Sequence, residues 1–180
     1  MQLPQVGRVA SAIEQLSTRL QPVDQERVPN ALAAGRVLAE DLIADRPSPA
    51  LDVSAMDGYA LRLQDELPAT LPVQSTAPAG SAPQTLHPGH AIRIFTGAVV
   101  PTGADCVKCR EDTIEHPGQV QLTIPIAEMK LGQNIRRQGE NSSQGAKLLS
   151  RGSIVEAASI AAVASFGAIY GSIEPCESPF

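Results

Sequence analysis

Prolines divide the middle of this chain into short pieces, and their spacing limits the possible folds more than any other feature. Ten of them lie between positions 47 and 125, at 47, 49, 68, 72, 78, 83, 88, 101, 117 and 125. Because proline lacks the N–H that a helix interior or a central strand needs, the elements between prolines must be short. The apolar runs AIRIF, DCVKC and VQLTI fit between them as strands. The sequence therefore predicts a β-rich lobe over residues 46–134.

Helical patterns flank this lobe on both sides. Apolar residues recur at spacings of three and four over residues 6–20 and stop before Pro22, which predicts an amphipathic helix. A short helix is predicted over 30–34, with Asn30 as its cap and Gly35 as its left-handed end. A third helix is predicted over 156–166, ended by Gly167, with a strand over 168–173.

This order predicts an insertion. The two ends of the chain, residues 1–45 and 135–180, form one discontinuous mixed α/β lobe for dimerisation, and the β-rich lobe is inserted into it. We therefore expect a mainly β fold with an α+β lobe and an elongated shape.

Charge and hydropathy narrow the function classes. A net charge of −5 leaves no basic face for a nucleic-acid backbone. The start of the chain lacks the pattern of a secretory signal, and no apolar run is long enough to span a bilayer. We expect a cytoplasmic protein that binds neither nucleic acid nor membrane.

The cysteines favour no metal site. Cys106, Cys109 and Cys176 are an odd number without secretory context, so we expect reduced thiols. Cys106 and Cys109 form a C-x-x-C on a predicted strand, where they point to opposite faces and do not converge on one metal. A structural role is favoured, with metal or redox use as the alternative.

The stretch SAMDGYALR, residues 54–62, contains an isolated carboxylate. Asp57-Gly58 between apolar neighbours is a strong signal for a type I′ hairpin turn, in which both residues have positive φ. The alternative is a carboxylate held in place for chemistry. Both interpretations stay open on the residues alone.

Two further stretches carry polar groups beside glycines. In IRIFTGAVVPTGADCV, an apolar strand ends at Thr96-Gly97, where a glycine permits close approach of a ligand; an ordinary polar strand end is the alternative. In GQNIRRQGENSSQG, Arg136 and Arg137 present guanidinium groups suited to phosphate or another oxyanion. A solvated loop with a salt bridge to Glu140 is the alternative there.

Five stretches, in order, resemble the N-terminal region of the MoeA/gephyrin-E family of molybdopterin molybdenumtransferases. They are AAGRVLAEDL (33–42), SAMDGYALR (54–62), IRIFTGAVVPTGADCV (92–107), GQNIRRQGEN (132–141) and GAKLLSRGSIVEAASIAAVASFGAIY (145–170). The resemblance implies a β-rich lobe inserted into a mixed lobe. It also implies molybdenum cofactor biosynthesis, with molybdenum from molybdate inserted into adenylylated molybdopterin, assisted by Mg²⁺, and a homodimer.

The same resemblance implies roles for single residues. Asp57 would hold the metal ion or orient the attacking water, and Thr96 would contact the substrate or an oxyanion. Arg136 and Arg137 would line an anionic pocket for phosphate or molybdate. Ser54 and Gly97 are assigned to substrate binding.

The chain also departs from the family pattern. Asn141 stands where the family usually has the aspartate of GED, and Val99 stands where TGAPVP has its first proline. Family members are about twice as long, and the missing half includes the domain that grips the pterin. We therefore expect little or no transferase activity from this chain alone.

A non-catalytic dimerisation or scaffold module is the alternative function, and an unrelated small hydrolase that uses Asp57 with a divalent ion is a weaker one.

Overall fold

The structure, a computed structural model, describes residues 9–20, 24–63, 67–125, 128–166 and 170–174. Within these residues the chain is mostly β with two α helices, which confirms the predicted fold class. The helices are α1 (Val9–Arg19) and α2 (Ala157–Ser165). The strands are β1 (Glu26–Pro29), β2 (Val37–Leu38), β3 (Leu42–Ile43), β4 (Val53–Ser54), β5 (Gly58–Leu61), β6 (Thr70–Ala77), β7 (Ala91–Ile94), β8 (Cys106–Cys109), β9 (Thr113–His116), β10 (Gln119–Leu122), β11 (Ile135–Arg136), β12 (Lys147–Leu149) and β13 (Tyr170–Glu174).

The chain divides into two compact units. The central unit comprises residues 43–147, and the terminal unit comprises residues 1–42 and 148–180. Residues 135–147, which the sequence analysis assigns to the discontinuous lobe, lie in the central unit. Strand β11 accounts for this placement, because its two residues pair with β4 of the same unit.

The main sheet of the central unit has six strands, in the order β8-β5-β7-β6-β10-β9. All neighbours are antiparallel except β6 and β7, which are parallel and therefore need the long connection over residues 78–90. Successive side chains of a strand point to opposite faces, so the apolar residues divide into two clusters. One face carries Tyr59, Leu61, Leu71, Ala91, Cys106, Val120 and Leu122; the other carries Ala60, Ile92, Ile94 and Val107.

The sheet curls around the first of these clusters, so we call that side the inner face. The hydroxyl of Tyr59 on β5 donates a hydrogen bond to Oε1 of Glu115 on β9, at 2.9 Å. Strand β9 is one edge of the sheet, and β5 is next to the opposite edge. A flat sheet would hold these strands far apart, since neighbouring strands are about 4.8 Å apart.

Backbone hydrogen bonds join the beginning and the end of the central unit. The N–H of Ala44 donates to the carbonyl of Ala146 at 2.8 Å, and the N–H of Gly145 donates to the carbonyl of Ala44 at 2.8 Å. The segments next to the first and last residues of the unit are therefore held side by side.

The terminal unit contains a three-stranded antiparallel sheet in the order β1-β13-β2. Val28, Ala33, Leu38 and Val155 form its buried apolar cluster, with Ile160 of α2 packed against it. Helix α1 confirms the predicted helix over the described part of 6–20, while residues 6–8 lie outside the described residues. The apolar side chains of this helical segment, Val9, Ile13, Leu16 and Leu20, are 59–77% exposed.

The second predicted helix is a single 3-10 turn, Asn30–Leu32. Its capping residue is Pro29, with no side-chain hydrogen bond, so the prediction of Asn30 as the cap was wrong. Gly35 has φ of +78°, which matches the predicted left-handed end. The third predicted helix is confirmed as α2, although Gly167 lies outside the described residues.

Neither helix in the described ranges is long and apolar enough to cross a membrane.

Candidate functional site

Asp57 and Thr96 meet at one end of the central sheet. Asp57 immediately precedes β5 and Thr96 closely follows β7, and these strands are antiparallel with Gly58 opposite Ile94. The Oδ1 atom of Asp57 accepts two hydrogen bonds from Thr96, one from its backbone N–H and one from its hydroxyl, both at 2.8 Å. Two bonds to one oxygen fix the orientation of the carboxylate, although Asp57 is exposed.

Asp57-Gly58 is not the hairpin turn that the sequence predicts. Neither residue has a positive φ, and β4 pairs with β11 instead of β5. Gly58 is buried, and a Cβ added to it would overlap the backbone carbonyl of Lys108 on the neighbouring strand β8. The glycine is therefore required because two backbones approach closely there, and not because a turn needs it.

Gly97 has the opposite reason for being a glycine. Its φ is +80°, and apart from its two neighbours in the chain no described residue has an atom within 4 Å of an added Cβ. A left-handed backbone directly after Thr96 turns the chain back toward β4, where the N–H of Gly97 donates to the carbonyl of Ser54 at 2.8 Å.

The surroundings of Asp57 favour its ionised form. The backbone N–H and then the hydroxyl of Thr96 lower the pKa of Asp57 and outweigh the opposing effect of burial, and the charges of Arg110 and Arg93 lower it further. The carboxylate is therefore charged at neutral pH. A weak base of this kind is suited to binding a cation or orienting a water molecule.

A second carboxylate, Glu115, links the groups around Asp57. It accepts hydrogen bonds from Nε and Nη2 of Arg110 at 3.0 and 3.2 Å, and from the hydroxyl of Tyr59 at 2.9 Å. Arg93 forms an ion pair with it at 3.2 Å. The bond from Arg110, then that from Tyr59, and the nearby guanidinium charges lower the pKa of Glu115.

The sequence analysis missed Arg93, Arg110 and Glu115. One signal was available: Arg93 interrupts the apolar run AIRIF at a position that faces the same side as Ala91. A charged residue on the inward-facing side of a strand needs a partner. The partner, Glu115, lies two strands further along the chain, on β9, so the sequence alone could not identify it.

Ser54 has a local structural contact. Its side chain is buried, its hydroxyl donates to the carbonyl of Met56 at 2.6 Å, and it accepts the N–H of Met56 at 3.3 Å. These two bonds shape the bend that leads to Asp57.

Arg136 and Arg137 contact partners other than Asp57 and Thr96. Nη2 of Arg136 donates to Oδ1 of Asn141 at 2.6 Å, and Nε lies 3.6 Å from Glu140. Nη1 of Arg137 donates to Asp52 at 2.6 Å. Both side chains remain about half exposed, at 43% and 57%.

The two cysteines of β8 have different surroundings. Cys106 is buried on the inner face, and burial raises the pKa of its thiol to about 12. Cys109 is half-buried and accepts a hydrogen bond from Nδ2 of Asn134 at 3.2 Å. Cys176 lies outside the described residues. Among the described residues, no group of three or more His, Cys, Asp or Glu side chains is arranged to hold a metal ion.

Comparison with known proteins gives one consistent result. The family model of the MoeA N-terminal region (domain I and II) matches residues 8–167. The molybdopterin molybdenumtransferase of Synechococcus elongatus is 41% identical over 139 residues, which cover 73% of this chain and 34% of that protein. The molybdopterin molybdenumtransferase of Nostoc sp. is 37% identical over 172 residues, covering 91% of this chain and 38% of that protein.

The fold gives the same result. A crystal structure of the molybdopterin biosynthesis MoeA protein of Pyrococcus horikoshii matches with a TM-score of 0.80 and 27% identity, over 92% of this chain and 43% of that one. A second structure of the MoeA protein from the same organism matches with a TM-score of 0.79 and 30% identity. The chain thus spans less than half the length of each of these relatives.

Proposed function

This chain belongs to the family of MoeA N-terminal regions, and we propose that it is the part of a molybdopterin molybdenumtransferase that supplies Asp57 and Thr96 to the active site. The reaction would insert molybdenum from molybdate into adenylylated molybdopterin, with hydrolysis of the adenylate, in the cytoplasm. The names of the relatives support the reaction. The observation that carries the assignment of residues is the pair of hydrogen bonds from Thr96 to a single oxygen of Asp57.

Those two bonds decide what Asp57 offers to a ligand. Both end on Oδ1, and in the described part of the chain no donor reaches Oδ2. One oxygen is therefore held and the other is available in a fixed direction. The lowered pKa of Asp57 makes proton abstraction an unfavourable role, so we assign it the task of holding a cation or orienting water.

Asp57 alone offers too few oxygens to hold Mg²⁺. The site therefore fits a Mg²⁺ ion that binds together with the phosphate groups of the substrate. Mg²⁺ in phosphate-binding sites takes one or two carboxylates, several waters and the phosphates of the substrate. Oδ2 of Asp57 supplies one such carboxylate oxygen. When bound there, Mg²⁺ would offset the negative charge that develops on the phosphate oxygens. The roles of Arg136, Arg137, Ser54 and Gly97 in substrate binding remain predictions from the resemblance.

A chimeric enzyme tests the proposed function. Residues 1–180 would replace the matching N-terminal region of the Synechococcus elongatus relative, and molybdenum insertion would be assayed in the purified chimera and in the isolated chain. We expect activity from the chimera and little or none from the chain alone, because the chain spans 34% of that relative. The unmodified relative is the positive control.

Two results would contradict this proposal. Turnover by the isolated chain would show that no further domain is needed. A chimera that folds and assembles normally yet inserts no molybdenum would favour the scaffold alternative instead.

We also propose that the protein acts as a homodimer. The row of exposed apolar side chains on the helical segment of α1 supports this, since a helix with one apolar side is stabilised by covering it. We expect a dimeric mass in solution for the natural sequence and a smaller mass for Leu16→Glu, with Gln15→Glu as the matched control. A monomeric natural chain would contradict the proposal.

A further inference from the structure

Two arginines that are both bound to Glu115 lie near Asp57 and are not assigned by the resemblance. We propose that Arg93 and Arg110 form an anion-binding pair that contacts the phosphate-type oxyanion of the ligand held at Asp57. This inference rests on the proposed function and adds two residues to that site.

Strand register places both arginines at the same end of the sheet as Asp57. Tyr59 lies opposite Arg93 on β7 and opposite Lys108 on β8. Gly58 lies opposite Cys109, so Asp57, directly before β5, and Arg110, directly after β8 in a 3-10 turn, come together at the same end of the sheet. The N–H of Arg110 donates to the backbone carbonyl of Asp57 at 3.0 Å, which confirms that these two residues are adjacent.

Glu115 holds the two guanidinium groups in place. It binds Arg110 through two N–H groups and Arg93 through one ion pair, and Tyr59 fixes its own position. The side chains of Arg93 and Arg110 nevertheless remain 30% and 55% exposed. A guanidinium has five N–H donors, so each arginine keeps donors for a ligand while its orientation is already fixed. Prior fixation lowers the entropy cost of binding an oxyanion.

The charges at this end of the sheet also specify the form of the ligand. The two arginines are balanced by Asp57 and Glu115, so a bare multivalent anion would make the site strongly negative. An anion that carries a divalent cation would not, because the cation can sit at Oδ2 of Asp57 while the oxyanion contacts the arginines. The pair therefore selects a phosphate-type group complexed with Mg²⁺ over the free anion.

Binding of pyrophosphate to the full 180-residue chain tests this inference without requiring enzyme activity. The amide signals of Asp57, Gly58 and Thr96 would be followed by NMR during titration with pyrophosphate, with and without MgCl₂. Arg110→Gln removes one guanidinium, Arg110→Lys keeps the charge, and Arg46→Gln is the matched control at an exposed arginine of the same unit. Unchanged amide signals in the rest of the central unit would show that each variant is folded.

We expect Arg110→Gln to weaken pyrophosphate binding about tenfold or more, as loss of a charge-assisted hydrogen bond does. Arg110→Lys should recover part of that loss, and Arg46→Gln should change affinity less than twofold. Asp57→Asn should reduce the gain in affinity that MgCl₂ provides, while leaving binding of free pyrophosphate as tight or tighter.

Three outcomes would overturn the inference: no binding at millimolar pyrophosphate, equal affinities for Arg110→Gln and Arg46→Gln, or signal changes confined to other parts of the chain. The chimera separates this inference from the proposed function. If Asp57→Asn abolishes molybdenum insertion there while Arg110→Gln does not affect it, the anion pair fails and the proposed function stands. If neither substitution has an effect, the assignment of Asp57 fails as well.

Discussion

Asp57 and Asp52 are neighbouring carboxylates of the central unit that are bound in different ways. Asp52 accepts the N–H of Gln138 on Oδ1 at 2.8 Å and Nη1 of Arg137 on Oδ2 at 2.6 Å. Asp57 accepts both of its bonds on Oδ1, from Thr96. Both oxygens of Asp52 are therefore used inside the protein, whereas Asp57 keeps one for a ligand.

The pKa values of both groups are lowered, so the shift by itself does not distinguish them. Burial would raise the pKa of Asp52, but the hydrogen bonds from Gln138 and Arg137 and the charge of Arg137 outweigh it. At Asp57 the bonds from Thr96 are the largest cause. What distinguishes a carboxylate suited to chemistry is the remaining coordination capacity of its second oxygen, together with a fixed orientation.

The largest expected effect is on stability. It compares a glycine next to Asp57, which lies in the packed sheet, with a glycine in the loop that contacts Asp52. Gly58→Ala should lower the free energy of unfolding by about 3 kcal/mol or more, since the new methyl group overlaps the backbone of β8. Gly139→Ala, beside Gln138, should cost only about 1–2 kcal/mol for a positive φ with no overlap. Urea unfolding of both variants measures this. Equal losses would show that the close approach at Gly58 relaxes easily.

The second test compares the carboxylates in the chimeric enzyme. Asp57→Asn should lower the rate of molybdenum insertion about a hundredfold, as removal of a preorganised charged group does in other enzymes. Asp52→Asn keeps the hydrogen bond from Gln138 and weakens only a half-exposed ion pair, so a loss of about fivefold or less is expected. If both variants lost activity equally, the contrast between one and two occupied oxygens would have no functional meaning.

The third test changes the partner of Asp57 and leaves the carboxylate itself unchanged. Thr96→Val removes one of the two bonds on Oδ1, so the pKa of Asp57 should rise toward its ordinary value near 3.8, while Thr96→Ser should preserve it. A lowered carboxyl pKa stabilises the fold above the unfolded value, and this contribution disappears as the pH falls through the folded value. Carboxyl NMR titration of the two variants measures the shift. An unchanged pKa in Thr96→Val would mean that the backbone N–H alone fixes Asp57.

The smallest expected effect concerns Asp52. Asp52→Asn should reduce the free energy of unfolding at neutral pH by about 0.5 kcal/mol or less, because its ion pair is largely solvated. Since the pKa of Asp52 is lowered on folding, its contribution is lost as the pH falls through the pKa of the folded state, and below that pH the natural chain and the variant should be equally stable. Thermal unfolding at several pH values tests this. A difference that persists in acid would point to an uncharged contribution of Asp52.

Local signals in the sequence predicted part of this fold well. The spacing of prolines and apolar residues gave the β-rich middle, α1 and α2, because these features depend on neighbours in the chain. The Asp57-Gly58 turn failed for a physical reason: the same dipeptide suits a turn or a close backbone approach, and only the position of Lys108 on another strand decides between them.

The candidate site was predictable only through resemblance. Asp57 and Thr96 stand far apart in the sequence, and antiparallel pairing of β5 and β7 brings them together. Arg110 was missed because pairing of β5 with β8 brings it beside Asp57, and Glu115 was missed because it reaches this group only through the curl of the six-stranded sheet. Such contacts join strands that are distant in the sequence, and no local sequence pattern predicts them.

The paired hydrogen bonds between Ala44 and the segment at Gly145 and Ala146 mark a place at which this lobe can be exchanged between related proteins. A lobe whose first and last segments are bonded to each other can be exchanged as a cassette, because its own fold already holds the two ends of the inserted chain together. Recombination at this junction offers a direct way to transplant the arginine-rich end of the sheet into distant homologues while their own framework is retained.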